Sequence, residues 1–216
     1  MKHNHLFIDE KGSRIDFQNV ERIERRLCNR YIPKDAVVLE LGARYGTVSF
    51  VINSKLDNKS NHVAVEPDPT VWDVLNRNRD RTGCQFHILK GFISNKKWNL
   101  NRLPESGYFT HTVALSENEV SDIPSFTLSE VKEKYGLDFN TLVCDCEGFL
   151  ETFLDENPDL LLNLKLLIME CDSVQRCNYD KIRENLSSAG FSLIERKYYH
   201  EVWRKSVSES VSESES

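Results

Sequence analysis

Residues 36–46 read Ala-Val-Val-Leu-Glu-Leu-Gly-Ala-Arg-Tyr-Gly. Four apolar residues open the segment, and such a continuous run is typical of a strand that is buried on both faces of a parallel sheet. Gly42 and Gly46 then predict a turn in which the backbone can approach a ligand, because no Cβ stands in the way. A helix is predicted from Thr47 to Leu56, and its first N–H groups would face the same ligand. The segment therefore predicts an α/β fold with a ligand at this turn.

Strands and helices alternate along the rest of the chain. Further strands are predicted from apolar runs at residues 62–65, 85–89, 141–144 and 166–169. Helices are predicted from apolar periodicity at residues 17–31, 70–80, 149–156 and 181–189. After Gly190, a residue suited to a left-handed helix cap, strands at 191–196 and 198–204 are predicted to form an antiparallel pair. The alternation predicts a mostly parallel, doubly wound sheet with a C-terminal antiparallel pair.

The chain divides into three parts. Residues 1–35 form an N-terminal segment with an amphipathic helix, and residues 36–205 form one α/β domain. Residues 206–216 are nearly all Ser, Glu and Val and have almost nothing to bury, so we predict that this tail is disordered. Within the domain, residues 94–125 are the least regular stretch and are interpreted as a hairpin or a lid.

Composition excludes several classes of function. The net charge of −6 argues against sequence-independent binding of nucleic acid, which needs a basic face. No apolar run approaches the roughly 20 residues of a membrane span, and the N-terminus lacks a secretory signal. We therefore expect a cytoplasmic protein whose six cysteines are thiols. Cys144-x-Cys146 lacks a second ligand pair at zinc-site spacing, and two small thiols on one strand face are the better interpretation.

Three strand ends together predict a nucleoside cofactor with a cationic end. Glu40 stands where a dinucleotide fold has the first glycine of Gly-x-Gly-x-x-Gly, and its carboxylate would repel a pyrophosphate but suit an ammonium group. Glu66 ends the second strand, where an acid can accept hydrogen bonds from both ribose hydroxyls. Lys90-Gly91-Phe92 follows the third strand and could flank an adenine. The alternatives are a plain strand–helix turn and a solvated loop acid.

The chain resembles the FkbM-type methyltransferases. The matching motifs are Leu41-Gly42-Ala43-x-x-Gly46-x-x-Ser49, Ala64-Val65-Glu66-Pro67-Asp68-Pro69, Thr127-Leu128-Ser129-Glu130 and Asp145-Cys146-Glu147-Gly148. The resemblance implies a Rossmann-like class I methyltransferase fold, S-adenosylmethionine as the methyl donor, and transfer to a hydroxyl, often of a sugar or polyketide. It also implies that Glu66 holds the ribose and that the 42–46 loop holds the methionine end.

These expectations define a set of cofactor residues, which are Glu40, Gly42, Ala43, Arg44, Tyr45, Gly46, Glu66, Pro67, Gly91, Phe92 and Asp145. Arg44 departs from the family pattern, which often has Asn there. Its guanidinium could pair with the carboxylate of the cofactor or face solvent.

Carboxylates at two further strand ends are the catalytic candidates. An alcohol is a poor nucleophile at neutral pH, so its methylation needs a base or a metal. In one mechanism Asp145, Glu170 and Asp172 bind Mg²⁺ or Mn²⁺ and Glu147 takes the proton. In the other no metal binds, Asp145 contacts the cofactor amine, and Glu147 or a histidine is the base. Glu147 could alternatively be an acid that favours a helix N-terminus.

Other side chains have both a functional and a structural interpretation. His87, His111 and His200 are additional base candidates, although a single histidine is more often packed or solvated. Trp98, Tyr108 and Phe109 could stack on a sugar ring, although an aromatic cluster beneath a lid is the more frequent use.

Two rival functions remain open. A nicotinamide-dependent oxidoreductase shares the sheet and the ribose acid but is disfavoured by Glu40 and by the absence of Gly-x-Gly. A non-catalytic cofactor-binding scaffold is disfavoured by the acids at the strand ends.

Overall fold

A computed structural model describes residues 7–102, 110–116 and 119–206. The helices are α1 (Arg22–Tyr31), α2 (Thr47–Lys55), α3 (Trp72–Thr82), α4 (Leu128–Tyr135), α5 (Leu150–Glu156), α6 (Leu160–Asn163) and α7 (Tyr179–Ser188). The first six strands are β1 (Val38–Leu41), β2 (His62–Glu66), β3 (His87–Lys90), β4 (Phe92–Ile93), β5 (Trp98–Arg102) and β6 (Thr110–Ala114). The other strands are β7 (Ser125–Phe126), β8 (Thr141–Cys144), β9 (Leu166–Glu170), β10 (Phe191–Lys197) and β11 (His200–Lys205).

Seven of the strands form the central sheet in the order β10-β11-β9-β8-β1-β2-β3. Strands β3, β2, β1, β8 and β9 are parallel, and β11 is antiparallel to both β9 and β10. This confirms the predicted parallel sheet with a C-terminal antiparallel pair. The strand order reverses between β1 and β8, which is where open α/β sheets bind their ligands, outside the carboxyl ends of the strands.

Both faces of the sheet are covered, which explains the continuous apolar runs of the parallel strands. Alternate residues of one strand point to opposite faces. Leu39 and Leu41 of β1 pack in the larger core with α4, α5 and α7. Val38, on the opposite face, packs against α1 and α2.

The N-terminal residues also join the fold. Phe7 and Ile15 are buried against Tyr45, Val71 and Val74, so residues 7–17 cover the loop after β1 and the start of α3. Among the described residues, none of the helices combines the length and apolarity needed to cross a bilayer.

The first helix is shorter than predicted. It begins at Arg22 rather than at residue 17, because Glu21 has a φ of +47° and the four residues before it form turns. The spacing of Val20, Ile23 and Leu27 resembles a helical repeat, but the backbone before Arg22 is not helical.

The first strand is displaced from its predicted position. It covers residues 38–41 instead of 36–39, so Glu40 lies inside the strand rather than in the turn. Glu40 is two residues from Val38, so its side chain points to the same face of the sheet, toward α1 and α2.

The irregular stretch contains a strand pair. Trp98–Arg102 pairs antiparallel with Thr110–Ala114, in agreement with the hairpin interpretation. Helix α4 was not predicted as a helix, although Thr127 and Glu130 form a complete capping box at its start. The tail that was predicted to be disordered lies outside the described part of the chain, except for Ser206. Tyr108 and Phe109 also lie outside it.

Candidate functional site

A cavity of about 440 Å³ lies at the carboxyl ends of β1, β2, β8 and β9, next to the reversal of strand order. Residues 19–24, from the turn before α1 and its first helical residues, form part of its wall. The lining residues are Asn19, Val20, Glu21, Arg22, Ile23, Glu24, Leu41, Gly42, Arg44, Val65, Glu66, Pro67, Gly91, Phe92, Ile93, Leu100, Thr112, Asp145, Cys146, Glu147, Phe149, Glu170 and His200.

Gly42 brings the ends of two strands into contact. Its φ is +91°, and a Cβ at this position would lie 1.7 Å from the carbonyl oxygen of Asp145. Its N–H donates to the carbonyl of Val65. No other residue type fits without displacing backbone, so glycine at this position lets the ends of β1 and β8 approach each other closely.

Glu66 presents a fixed carboxylate to the cavity. Its Oε2 accepts from the N–H of Arg44 at 2.6 Å, and its Oε1 accepts from the N–H of Asp68 at 2.7 Å. Burial raises the pKa of Glu66 to about 7, although these two hydrogen bonds act in the opposite direction. Each oxygen retains a second lone pair, so the group can accept the two hydroxyls of a ribose.

The neighbouring strand end forms a narrow wall. Gly91 has a φ of +144°, and a Cβ there would lie 2.3 Å from the carbonyl oxygen of Pro124. Phe92 is buried and lines the cavity together with Pro67. This part of the wall is therefore small and apolar, a lining compatible with an aromatic ring.

Asp145 and Glu170 form a carboxyl pair across the ends of β8 and β9. Burial raises the pKa of both groups, and in Glu170 the charge of Asp145 and a hydrogen bond with it raise the pKa further, to about 9. Two adjacent carboxyl groups do not both ionise readily, so in the absence of a cation this pair tends to hold a proton.

Glu147 has the properties of a general base. It has a φ of +51° and precedes Gly148, so a tight turn holds it at the cavity. Burial and the charges of Asp145 and Asp172 raise the pKa of Glu147 to about 7, while a hydrogen bond from the Ser173 hydroxyl at 3.5 Å lowers it. A base whose pKa lies near the working pH is the most effective at taking a proton in the transition state.

Three histidines were predicted as base candidates. Among those with described side chains, His200 lines the cavity. Its Nε2 lies 3.6 Å from Oε1 of Glu170, and burial lowers the pKa of the imidazole, so the ring is neutral at pH 7. His87 packs its ring on Tyr135, with the centroids 4.7 Å apart, away from the cavity. The side chain of His111 lies outside the described atoms.

Four of the predicted cofactor residues do not line the cavity. Glu40 faces His62, with 2.9 Å between Oε2 and the imidazole Nε2, and both side chains are buried. The ammonium role predicted for Glu40 is therefore wrong, because the strand extends past it. The other three residues of the loop, Ala43, Tyr45 and Gly46, point into the apolar packing, and the hydroxyl of Tyr45 donates to Glu10 at 2.6 Å.

The predicted metal ligands are not arranged as a metal site. Asp172 is exposed, does not line the cavity, and accepts a hydrogen bond from the Ser173 hydroxyl at 3.0 Å. Within the described residues, no group of three or more His, Cys, Asp or Glu side chains has the geometry of a metal site.

Trp98 is not a surface for a sugar ring. Its indole is buried edge-on against Phe149, with ring centroids 5.0 Å apart, and its Nε1 donates to Ser94 Oγ at 2.8 Å. This agrees with the interpretation of a packed aromatic cluster.

Two acids of the site were missed from the sequence. Glu21 and Glu24 line the cavity, and Glu24 is 4% exposed. The signal was present, since Glu24 occupies the same helix face as Leu27, Cys28 and Tyr31, at intervals of three, four and seven residues. An acid on an otherwise apolar helix face is unusual and indicates a functional position.

The lining is strongly acidic. The carboxyl groups of the wall are Glu21, Glu24, Glu66, Asp145, Glu147 and Glu170. The basic side chains of the wall are Arg22 and Arg44. Burial is the largest cause of the raised pKa of each of these six acids. Such a cavity favours a ligand that carries positive charge.

Comparison with known proteins identifies the fold. The sequence matches no protein-family model and no curated protein. Among solved structures, a protein of the NADB-Rossmann superfamily from Streptococcus agalactiae aligns with a TM-score of 0.54 and 13% identity, over 85% of this chain and 68% of that one. A candidate tRNA methyltransferase from Streptococcus pneumoniae, in complex with S-adenosyl-L-methionine, aligns with a TM-score of 0.52 and 12% identity, over 84% and 71% of the two chains.

A third solved structure aligns with this chain over a larger share of its own length. A precorrin-6y methyltransferase from Geobacter metallireducens aligns with a TM-score of 0.50 and 14% identity, over 84% of this chain and 88% of that one. At these identities the likeness establishes the fold alone. The chain has the α/β, Rossmann-like fold of the class I S-adenosylmethionine-dependent methyltransferases.

Proposed function

We propose that the protein is an S-adenosylmethionine-dependent methyltransferase that acts on a hydroxyl group, of a sugar or glycan. The observation that carries the proposal is the carboxylate of Glu66, fixed by two backbone N–H groups beside the Gly42 turn and open to the cavity. A ribose acid next to a glycine turn, in a fold of this class, suits a nucleoside cofactor. The acidic lining suits one with a positive charge.

The cavity offers a place for each part of the cofactor. Glu66 would accept the ribose hydroxyls, while Gly91, Phe92 and Pro67 would enclose the adenine. The methionine end would then pass over Gly42 toward β8. Arg44 lines the cavity on the same side and could pair with the cofactor carboxylate.

Glu147 is proposed as the base at the acceptor end. S-adenosylmethionine, when bound, supplies an activated methyl group on a sulfonium centre. The acceptor oxygen attacks that methyl carbon, a C–O bond forms as the C–S bond breaks, and the hydroxyl proton passes to Glu147 Oε. Alignment of the acceptor and the methyl carbon is the main contribution of the cavity walls.

The metal-free route fits the carboxylates better than the metal route. A divalent ion needs several charged oxygen ligands at one point, whereas Asp172 faces solvent and no group of three such ligands is found among the described residues. We therefore expect methyl transfer to proceed unchanged in excess EDTA. A loss of activity that Mg²⁺ or Mn²⁺ restores would support the metal route instead.

The sugar acceptor is supported by the FkbM-type motifs and by a pair of exposed tyrosines. Tyr198 and Tyr199 are 74% and 63% exposed and form the two-residue turn between β10 and β11. The turn leads directly into His200, which lines the cavity. Exposed aromatic faces beside an active site can stack on the apolar faces of sugar rings.

The rival functions have weaker support. From β3 to β9, the strand order of the central sheet is that of the dinucleotide fold. Beyond β9 the two differ, because the antiparallel strand β11 lies between β9 and β10. The glycine motif for a pyrophosphate is also absent. A non-catalytic scaffold would not need a base such as Glu147, whose pKa is raised to about 7.

Calorimetric titration separates these functions. We expect the purified protein to bind S-adenosylhomocysteine and to show no heat of binding with NAD. The Glu66→Gln variant should bind S-adenosylhomocysteine roughly tenfold to a hundredfold more weakly, because it loses the charged acceptor of the ribose hydroxyls. The matched control is Glu184→Gln, at an exposed position of α7. Binding of NAD without binding of S-adenosylhomocysteine would contradict the proposal.

A further inference from the structure

Glu24 is a buried acid of the cavity wall for which the rest of the structure offers no partner. Its side chain is 4% exposed and lines the cavity. Among the described residues, no hydrogen bond or ion pair reaches its carboxyl group. A buried polar group without a partner destabilises the folded protein unless a ligand completes it.

The charged groups around Glu24 are mainly acids, so its carboxyl group lacks a basic partner in a region that needs one. The charged groups that influence it most are all acids, which are Asp145, Glu21, Glu170 and Glu40. Two of these have other partners, since the Thr47 hydroxyl donates to Glu21 and His62 contacts Glu40. Glu24 and the Asp145–Glu170 pair therefore form an acidic region, and Arg44, which lowers the pKa of Asp145, is not among the main influences on Glu24. Packing alone would not select an acid at this position.

The position of this region matches one end of the proposed cofactor. Adjacent strands lie about 4.8 Å apart, so the end of β8 is about 10 Å from the end of β2. If Glu66 at the end of β2 holds the ribose, the extended amino-acid arm of the cofactor crosses β1 above Gly42 and ends near Asp145. Gly42 lines the cavity along this route.

We infer that Glu24, together with Asp145, binds the ammonium group at the methionine end of S-adenosylmethionine. This inference rests on the proposed function and adds a residue from α1 that the sequence had not indicated. It also replaces the role predicted for Glu40. Helix α1 thus serves as a wall of the cofactor site in addition to packing against α2.

Two ligands that differ only in the amino-acid arm test the inference. S-adenosylhomocysteine carries the ammonium group, whereas 5′-methylthioadenosine keeps the adenosine and the sulfur but lacks the arm. For Glu24→Gln we expect the affinity for S-adenosylhomocysteine to fall roughly tenfold to a hundredfold, the usual range for one charged hydrogen bond. The affinity for 5′-methylthioadenosine should not change. The exposed Glu184→Gln variant should bind both ligands as the wild type does.

The stability of the ligand-free variant gives a second readout. Glutamine keeps the shape of Glu24 and removes a charge from an acidic region, so ligand-free Glu24→Gln should unfold at the same temperature as the wild type or higher. A clear loss of thermal stability would indicate a structural role for Glu24 and would overturn the inference.

The outcomes separate this inference from the proposed function. If the wild type binds neither ligand, the proposed function and the inference both fail. If the wild type binds S-adenosylhomocysteine and Glu24→Gln binds it equally well, the inference alone fails. An equal loss of affinity for both ligands would also overturn it, because the effect would then not depend on the ammonium group.

Discussion

At the scale of single residues, the site is defined by which acids have a partner and which do not. Glu66 has two backbone donors, Glu40 has His62 at Oε2 and no partner at Oε1, and Glu24 has no partner among the described residues. The sequence identified Glu66 as a candidate because an acid that ends a predicted strand and precedes two prolines is a local pattern, and in the structure this residue lines the cavity. It failed for Glu40 because a shift of two residues in one strand moves a side chain from the turn into the sheet.

Replacement of Glu40 distinguishes these interpretations. Glu40→Gln weakens the buried contact with His62, so we expect the free energy of unfolding to fall by about 1–3 kcal/mol. The affinity for S-adenosylhomocysteine should remain that of the wild type, because Glu40 does not line the cavity. Denaturant titration and calorimetry provide the two measurements. Loss of affinity at unchanged stability would restore the role predicted from the sequence.

Glu147 gives a prediction about rate and pH. Its pKa is raised to about 7, and only the carboxylate can accept a proton. The rate of methyl transfer should therefore increase as the pH rises through about 7 and then level off. Glu147→Gln should reduce kcat by roughly 10²–10⁴-fold and abolish this dependence, with cofactor affinity unchanged. The pH–rate profile of the two proteins is the measurement, and an equal loss of cofactor affinity would assign Glu147 to cofactor binding.

At the scale of elements, the sequence predicted the regular parts of the fold well. The apolar runs of β2, β8 and β9 and the cap at Gly190 identify buried strands and a helix end from local chemistry alone. The start of α1 was harder to predict from the sequence. Apolar residues before Glu21 continue the helical spacing, although the backbone there is not helical. Glu24 was missed for a related reason, since its burial depends on where the helix packs.

The turn between β10 and β11 gives a prediction at this scale. Tyr198 has a φ of +54°, a conformation that favours glycine or asparagine, and it is 74% exposed. Under the proposed function, the exposed ring of Tyr198 would contact the acceptor, because its turn leads into His200 of the cavity wall. Tyr198→Gly should raise the KM for the acceptor roughly twofold to tenfold, the range expected for one ring contact. The affinity for S-adenosylhomocysteine and the thermal stability should not decrease.

A control separates this contact from a general effect on the hairpin. Tyr198→Asn accepts the same backbone conformation but has no ring, so it should reproduce the KM of Tyr198→Gly. If both variants keep the wild-type KM for every acceptor, the tyrosine turn has no part in acceptor binding.

At the scale of the whole molecule, the acidic cavity makes stability depend on pH and on the cofactor. The pKa values of Glu21, Glu66 and Glu147 are raised from 4.5 to about 8, 7 and 7. Above pH 4.5 these groups lose protons more easily in the unfolded chain than in the folded one. The unfolded state therefore binds fewer protons, and folding stability falls as the pH rises from about 5 to 8. The lowered pKa values of His87 and His200 oppose this trend, but the three acids outnumber them.

Thermal unfolding at a series of pH values tests this prediction. The Tm of the ligand-free protein should decrease between pH 5 and pH 8. Glu21→Gln should reduce that dependence, because it removes one of the groups that release a proton on unfolding. A Tm that increases steadily over the same range would show that the cavity acids are ionised in the folded protein at pH 5.

The whole fold also shows what sequence patterns could not supply. Strand order and the antiparallel position of β11 between β9 and β10 depend on contacts between residues far apart in the chain. The cavity itself combines residues from the N-terminal turn, five strand ends and the β5–β6 pair. Local patterns identified the strand ends, and the structure brought them to one edge together with the two acids of the N-terminal region.

Transfer of a labelled methyl group from S-adenosylmethionine tests the central claim most directly. The wild-type protein would be incubated with the labelled donor and a panel of glycans, small phenols and protein extracts. We predict label in a hydroxyl of a sugar, lost in the Glu147→Gln variant and retained in Glu184→Gln. Binding of S-adenosylhomocysteine without transfer to any acceptor, or transfer that Glu147→Gln leaves intact, would contradict the proposed function and mechanism, respectively.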